Sequence, residues 1–119
     1  MIKVGIFGYG NLGKGVECAV AKNKDMELVA VFTRRDPSSI TVKTPGAKVY
    51  HEDALKNMTN DIDVLILCGG SATDLPVQTP EYAKLYNVVD SFDTHANIPT
   101  HFANVDAAAK AAGKTCVIS

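Results

Sequence analysis

Residues 2–13 read IKVGIFGYGNLG, an apolar run followed by glycines at positions 8, 10 and 13. The run Ile2 to Phe7 is typical of a buried strand. Gly8, Gly10 and Gly13 permit a tight turn, a close approach of backbone N–H groups to a pyrophosphate, and close packing of helix on strand. Apolar residues recur at helical spacing afterwards and form one face of a helix that should stop near residue 23, namely Leu12, Val16, Ala19 and Val20. The stretch therefore predicts a dinucleotide-binding strand, turn and helix.

The end of the second predicted strand, Glu27 to Phe32, indicates which dinucleotide is bound. A chain that binds NAD usually places an acid here, on the ribose 2′-hydroxyl. This chain has Thr33, Arg34 and Arg35 instead. The planar guanidinium fork suits a phosphate, and it can also stack on adenine. We therefore expect NADP as cofactor, and we expect Asp36, which lies beyond both arginines and precedes a proline, to cap a turn.

The composition predicts one globular domain of 119 residues, with 46% hydrophobic and 21% charged residues. A net charge of −1 offers no general field for nucleic acid or an anionic membrane, so neither is an expected partner. No apolar stretch approaches the ~20 residues of a membrane span, and no signal peptide is evident, so we expect the cytoplasm. Three cysteines, Cys18, Cys68 and Cys116, fit reduced, buried side chains, and no metal-binding spacing is found.

Strand and helix patterns alternate along the rest of the chain. The expected strands are Val49–Tyr50, Asp63–Cys68, Asn87–Ser91 and Thr115–Ile118. The expected helices are Glu52–Met58, a helix begun by Thr79 as N-cap with Pro80 at its first position, and a helix from Pro99 to Gly113 with Phe102, Val105, Ala109 and Ala112 on one side. Such alternation predicts an α/β fold, a Rossmann-type doubly wound parallel sheet in three layers. Ligands of this fold bind at the carboxyl ends of the strands.

Two further loops leave those ends. Ser71 and Asp74 follow the most buried strand, and they fit either a nucleotide contact or a capping box with Ser71 as N-cap and Asp74 at the third helical position. The loop from Asp90 to Asn97 carries two carboxylates and an imidazole. A loop aspartate usually serves a turn or a cap, yet Asp93 lies above the expected nicotinamide site, so a functional role is equally open.

These strings together resemble the meso-diaminopimelate dehydrogenase family: Gly8 to Gly13, Phe32 to Arg35, Gly70 to Asp74 and Val89 to His95. The resemblance implies NADP-dependent oxidative deamination at the D-centre of meso-2,6-diaminopimelate, which gives L-2-amino-6-oxopimelate and ammonia in lysine and cell-wall precursor metabolism. It implies cofactor contacts at Gly8, Tyr9, Gly10, Asn11, Leu12, Gly13, Thr33, Arg34, Arg35, Ser71, Ala72, Thr73, Asp74, His95, Ala96 and Asn97. It also implies that Asp93 faces the reacting amine, with Asn97 as a second substrate contact.

The chain departs from the family in two places. Members can carry an acid where this chain has Asn97, which leaves the substrate role of that position open. The family also continues beyond the strand Thr115–Ile118 into a substrate-binding and dimerisation domain, whereas residues 1–119 comprise only the expected dinucleotide-binding domain. We therefore expect homodimers only for a full-length parent, and no activity for these residues alone.

Three other functions compete with this interpretation. A sugar or aldehyde oxidoreductase of the same fold would be expected to show a Lys-Pro signature where this chain has Asp93-Thr94-His95. A non-catalytic NADPH-binding regulatory module would fit the short chain but has no use for Asp93. A nucleoside-cofactor methyltransferase would need an acid where Arg34 and Arg35 stand.

Overall fold

The chain folds around one parallel sheet, seen in a computed structural model that describes residues 1–70 and 73–118. Ser71 and Ala72, both expected to contact the cofactor, lie outside the described residues, as does the side chain of His95. The strands of the described part are Ile2–Phe7 (β1), Met26–Thr33 (β2), Lys48–His51 (β3), Val64–Leu67 (β4), Asn87–Asp90 (β5) and Cys116–Ile118 (β6). Each predicted strand is present, and every end lies within one residue of its predicted position.

The strand order is β3-β2-β1-β4-β5-β6, and every pairing is parallel. Strand order reverses between β1 and β4, where the chain crosses from one half of the sheet to the other. Ligands of doubly wound sheets bind at the carboxyl ends of the strands beside such a reversal. In this chain those ends are followed by the turn after Phe7 and the loop after Leu67.

Helices cover both faces of the sheet. The α-helices are Asn11–Ala21 (α1), Leu75–Tyr82 (α2) and Ile98–Ala112 (α3). Shorter 3₁₀ helices span Pro37–Ser39, Glu52–Asn57 and His95–Asn97. On one face, α1 packs through Val20 near Val4 and Ile6 of β1. Tyr82 of α2 and Val105 of α3 belong to a second buried cluster, on the opposite face. The predicted three-layer Rossmann-type fold is thus confirmed.

The predicted start of α2 is wrong. The helix begins at Leu75, so Thr79 and Pro80 lie inside it rather than at its N-terminus. Pro76 occupies the first turn, where its missing N–H costs no hydrogen bond, and the fully buried Leu75 anchors that turn in the core. Thr79 is itself buried, and its hydroxyl donates to Asp90 over 3.0 Å. A buried hydrogen bond between elements therefore explains the threonine, not a cap.

The buried faces of α1 and α3 also differ from the predicted ones. In α1, Leu12 and Ala19 are exposed, and so is Cys18, which was expected to be buried. Its buried residues are Gly13, Glu17 and Val20. In α3, Phe102 is 57% exposed and Ala112 is also exposed. The buried residues of α3 are His101, Val105, Ala108 and Ala109, and Gly113 ends the helix in the left-handed conformation, as predicted. The buried face of each helix is rotated from the predicted one because each helix buries a polar side chain with a hydrogen-bond partner, Glu17 in α1 and His101 in α3.

Candidate nucleotide-binding site

The three glycines of the first turn have different structural roles. Gly8 has φ +100°, which L side chains rarely adopt, and its N–H donates to the carbonyl of Phe32 over 3.0 Å. A β-carbon on Gly13 would lie 2.2 Å from the Gly8 carbonyl oxygen. A β-carbon on Gly10 would meet no described atom within 4 Å. The fold therefore requires glycine at positions 8 and 13, whereas Gly10 borders open space that a ligand can enter.

The first turn of α1 presents free backbone donors beside this space. Gly10 is the N-cap and supplies no side-chain cap, and the Lys14 N–H makes the first helical hydrogen bond, to Gly10 over 3.0 Å. The N–H groups of residues 11–13 thus have no partner within the helix. With the positive end of the helix dipole, they form a site suited to a phosphate group.

The end of β2 holds its arginines on an ordered turn. Thr33 is almost fully buried, and its hydroxyl accepts a hydrogen bond from the Arg35 N–H over 3.1 Å. Asp36 accepts a hydrogen bond from the Ser38 N–H over 3.0 Å at the start of a 3₁₀ helix. Hydrogen bonds from Ser38 lower the pKa of the Asp36 carboxyl. The predicted turn-capping role of Asp36 is confirmed, and its carboxylate is engaged by the N–H and the hydroxyl of Ser38.

The glycine turn, the arginines and the loop after β4 meet at one cleft of about 190 Å³. Its lining includes six of the predicted cofactor residues: Gly8, Tyr9, Thr33, Arg34, Arg35 and Asp74. A second cleft of about 320 Å³ adjoins it and shares Arg34, Asp74 and Gln78 with it. The structure thus brings together residues that are separated by up to 66 positions in the sequence.

Asp74 closes this cleft from the side of α2. Its carboxylate accepts a hydrogen bond from the Gly70 N–H over 3.0 Å and forms an ion pair with Arg34 over 3.1 Å. Asp74 stands at the N-cap position of α2 without a side-chain cap bond. It is therefore not at the third helical position of a capping box, because α2 starts after Asp74. Its carboxylate instead balances the charge of one of the two arginines.

Gln78 is a cleft residue that the sequence analysis missed. It lies on α2 four residues after Asp74 and so shares a helix face with it. Only 9% of its surface is exposed, and its Oε1 has no hydrogen-bond partner among the described residues. A helix predicted to begin at residue 75 would have placed Gln78 on the same face as Asp74, four residues earlier. The prediction began the helix at residue 80 and so missed it.

A second missed residue, Glu17, fastens the long connection between β2 and β3 to α1. One carboxylate oxygen accepts from the Tyr9 hydroxyl. The other accepts from the N–H groups of Lys43 and Thr44 and from the Thr44 hydroxyl, over 3.0, 2.9 and 2.7 Å. Burial raises the pKa of Glu17, but these hydrogen bonds outweigh it, and the net effect lowers the pKa. Burial and Glu17 raise the pKa of Tyr9 to about 12. Tyr9 is 7% exposed and its hydroxyl is held by Glu17, so its backbone is the part left to face a ligand.

The loop after β5 is also held from below. Asp90 is 2% exposed and accepts from the Phe92 N–H over 3.2 Å. Its other oxygen lies 2.7 Å from His101 Nε2, whose ring stacks on Phe92 with centroids 4.0 Å apart. Asp93 follows on this anchored segment and is exposed. Of the two loop carboxylates, Asp90 is structural and Asp93 is the one that a ligand can reach.

The predicted residues of this loop do not line the arginine cleft. Asp93, Ala96 and Asn97 follow β5, which is separated from β2 by β1 and β4. The structure therefore holds two separate groups of candidate residues on one edge of the sheet. Within the described residues, no group of histidine, cysteine or acidic side chains could hold a metal, and no helix is long and apolar enough to cross a membrane.

Comparison with known proteins places this geometry in context. No family model matches the chain. It is 62% identical over 118 residues to the meso-diaminopimelate D-dehydrogenase of Lysinibacillus sphaericus, covering 99% of the chain and 36% of that protein. The corresponding enzyme of Ureibacillus thermosphaericus is 58% identical with the same coverage. The chain thus spans about a third of the length of these relatives.

Solved structures of dehydrogenases also superpose closely on this chain. An engineered D-amino acid dehydrogenase bound to NADP⁺ superposes with a TM-score of 0.89 at 43% identity, covering 99% of this chain and 35% of that one. The Corynebacterium glutamicum DAP dehydrogenase in complex with DAP superposes with a TM-score of 0.88 at 44% identity, covering 97% of this chain and 34% of that one. The resemblance inferred from the four loop strings is confirmed.

Proposed function

Because this chain is a relative of the meso-diaminopimelate dehydrogenases along its whole length, we propose that it is the NADP(H)-binding part of such an enzyme. The observation that carries the proposal is the end of β2, where Thr33 and two arginines border the cleft, Asp36 is hydrogen-bonded to Ser38, and the cleft carboxylate, Asp74, is already paired with Arg34. A 2′-phosphate finds a hydroxyl and two guanidinium groups there, whereas the acid that accepts a hydrogen bond from a bare 2′-hydroxyl in NAD-binding chains is absent from the end of β2.

The residues around the cleft fit this cofactor. The open space at Gly10 and the free N–H groups of the first turn of α1 suit a pyrophosphate. We assign the pyrophosphate to Gly8, Tyr9, Gly10, Asn11, Leu12 and Gly13, and the 2′-phosphate to Thr33, Arg34 and Arg35. Ser71, Ala72, Thr73 and Asp74 would complete the nucleotide site, and His95, Ala96 and Asn97 would lie toward the nicotinamide.

The proposed reaction of the whole enzyme is oxidative deamination at the D-centre of meso-2,6-diaminopimelate. When bound, NADP⁺ supplies the hydride acceptor. Asp93 anchors the substrate ammonium and helps to form the neutral amine, and Asn97 is a second candidate contact. Asp93 is exposed, so alone it contributes an ion pair of only about 0 to 1 kcal/mol. Most of the positioning must come from further groups, and the relatives are about three times as long as this chain, so we propose that a substrate domain supplies them in the whole enzyme. We further propose, from the family resemblance alone, that the whole enzyme is a homodimer and acts in the cytoplasm.

Cofactor titration tests the binding proposal. The wild type and an Arg34→Ala/Arg35→Ala double variant are titrated with NADPH and NADH by fluorescence. Charged hydrogen bonds contribute about 1.5 to 3 kcal/mol each, so the double variant should lose at least tenfold in NADPH affinity and little in NADH affinity. The control is Lys24→Ala, which removes one positive charge from the loop before β2, at the amino ends of the strands and so away from the cleft. It should bind both cofactors as the wild type does. An equal loss for both cofactors would contradict the assignment.

Turnover is tested in a chimera that joins this chain to the remaining two thirds of the L. sphaericus relative. NADPH formation from meso-diaminopimelate is expected for the chimera, none for the 119-residue chain alone, and a strongly reduced rate for the Asp93→Ala chimera. An active Asp93→Ala chimera would remove Asp93 from the mechanism, and turnover by the chain alone would refute the need for a second domain.

A further inference from the structure

One buried polar atom beside the arginine cleft, Gln78 Oε1, makes no hydrogen bond within the described part of the fold. Gln78 is nine-tenths buried, and its Oε1 is the one buried side-chain nitrogen or oxygen of the described residues that lacks a hydrogen-bond partner. Buried acceptors in folded proteins are almost always paired, so an exception calls for a ligand or an ordered partner. The other buried polar groups described above, on Glu17, Thr79 and Asp90, are all satisfied.

The position of Gln78 ties this atom to the nucleotide site. Gln78 lines the cleft shared with Gly8, Arg34 and Arg35, and also the adjoining cleft on the far side of the Arg34–Asp74 ion pair. A β-carbon on Gly69 would lie 3.0 Å from Oε1. A side chain at position 69 would therefore crowd the acceptor, and glycine in the loop that follows β4 avoids this contact.

The chemistry of the acceptor restricts what it can bind. A carbonyl oxygen accepts hydrogen bonds and repels the oxygens of a phosphate. The phosphates of a dinucleotide are matched by the arginines and the α1 amides, which leaves the adenosine unit between them. Adenosine offers two kinds of uncharged donor, the ribose hydroxyl and the exocyclic amine of adenine.

We infer that Gln78 Oε1 accepts a hydrogen bond from the adenosine unit of NADP(H) and thereby fixes that unit against the Arg34–Asp74 side of the cleft. The inference rests on the proposed cofactor and adds a binding residue on α2 to those found in the loops. It makes Gln78 a recognition residue whose polarity is costly to the empty protein and useful only once the nucleotide is bound.

The test titrates the 119-residue chain with NADP⁺ and with its deamino analogue, in which hypoxanthine replaces adenine. Gln78→Leu should weaken NADP⁺ binding by about 2- to 12-fold, the value of one net hydrogen bond. The melting temperature of Gln78→Leu should stay the same or rise, because the substitution removes an unsatisfied acceptor. Gln78→Met, unbranched and close in length, repeats the test if leucine does not pack. Asn60→Leu, the same loss of an amide in an exposed turn, should leave affinity unchanged.

The two donors give different patterns. If the adenine amine is the donor, the wild type prefers NADP⁺ over the deamino analogue and Gln78→Leu loses that preference. If the ribose hydroxyl is the donor, Gln78→Leu loses the same factor for both. Unchanged NADP⁺ affinity in Gln78→Leu and Gln78→Met overturns the inference while the proposed function stands. A wild type that does not bind NADP⁺ at all overturns both.

Discussion

Two substitutions in the glycine turn, at positions 10 and 13, separate an effect on ligand binding from an effect on folding. Gly10→Ala and Gly13→Ala make the same chemical change, but they meet different surroundings. The new β-carbon at position 13 would lie 2.2 Å from the Gly8 carbonyl oxygen and 3.2 Å from its carbon. Both atoms belong to backbone, so no flexible side chain can yield. At position 10 the β-carbon enters open space, with φ −89° already suitable for alanine.

The magnitudes follow from these contacts. Relieving the clash at position 13 requires the start of α1 to move by roughly 1 Å from the turn, and overpacking of this kind costs up to about 3 kcal/mol. Alanine recovers about 1 kcal/mol through its higher helix propensity, which leaves a net loss of about 2 kcal/mol. For a domain of this size, that lowers the melting temperature by roughly 6 to 12 °C. Gly10→Ala should change stability by less than about 0.5 kcal/mol, since the preference of an N-cap for glycine over alanine is offset by the unfolded-state entropy.

Thermal unfolding followed by circular dichroism measures the first effect, and fluorescence titration with NADPH measures the second. We expect Gly10→Ala to melt with the wild type and to bind NADPH at least tenfold more weakly, because its β-carbon stands where the helix amides meet the pyrophosphate. Gly13→Ala should melt earlier. The reasoning fails if Gly13→Ala is as stable as the wild type, or if Gly10→Ala binds normally.

Three further changes test the polar contacts. The Glu17 pKa is lowered from 4.5, so the contacts of its carboxylate stabilise the fold fully above pH 4.5 and are lost as the pH falls through the lowered pKa. Hydrogen-exchange protection in the connection between β2 and β3 should therefore drop in that acidic range. Glu17→Gln should show no such drop. His101→Leu should lower the free energy of unfolding, measured in urea, by about 1.5 to 3 kcal/mol, since the buried Asp90 carboxylate loses a partner; equal stability would contradict this. Asp74 takes part in the nucleotide site through its ion pair with the largely exposed Arg34, which is weak, so Asp74→Asn should tighten NADPH binding by no more than about fivefold in low salt; weaker binding would mean that the carboxylate itself accepts a hydrogen bond from the nucleotide.

Much of the fold was predictable because its signals are local. The apolar run of β1, the glycine spacing after it and the left-handed Gly113 each depend on a few neighbouring residues, and the structure places them as expected. The arginines were predictable for the same reason, since they follow directly on β2.

The missed features depend on contacts between distant residues. From the sequence alone Glu17 resembles a surface charge, because the residues that cover it, 43 and 44, lie far along the chain in the connection between β2 and β3. Thr79 resembles an N-cap because a proline follows it, and only its bond to Asp90 shows that it is a core residue. Gln78 has no local signal of its own. The spacing of apolar residues along a helix does not indicate which polar side chains are buried against a partner. In α1 and α3 such side chains, Glu17 and His101, lie on the buried face, which is therefore rotated from the one that the apolar residues predicted.

The distance between the two groups of candidate residues bears on protein engineering. The arginines follow β2 and Asp93 follows β5, three strand spacings apart in the sheet, or roughly 14 Å. The Debye length at physiological ionic strength is about 8 Å, so charges at the two places are largely screened from each other. Exchanging Arg34 and Arg35 to alter cofactor preference should therefore leave the electrostatic potential around Asp93 nearly unchanged. Libraries for a different nicotinamide cofactor can be selected on nucleotide affinity in this small chain, without the amine substrate.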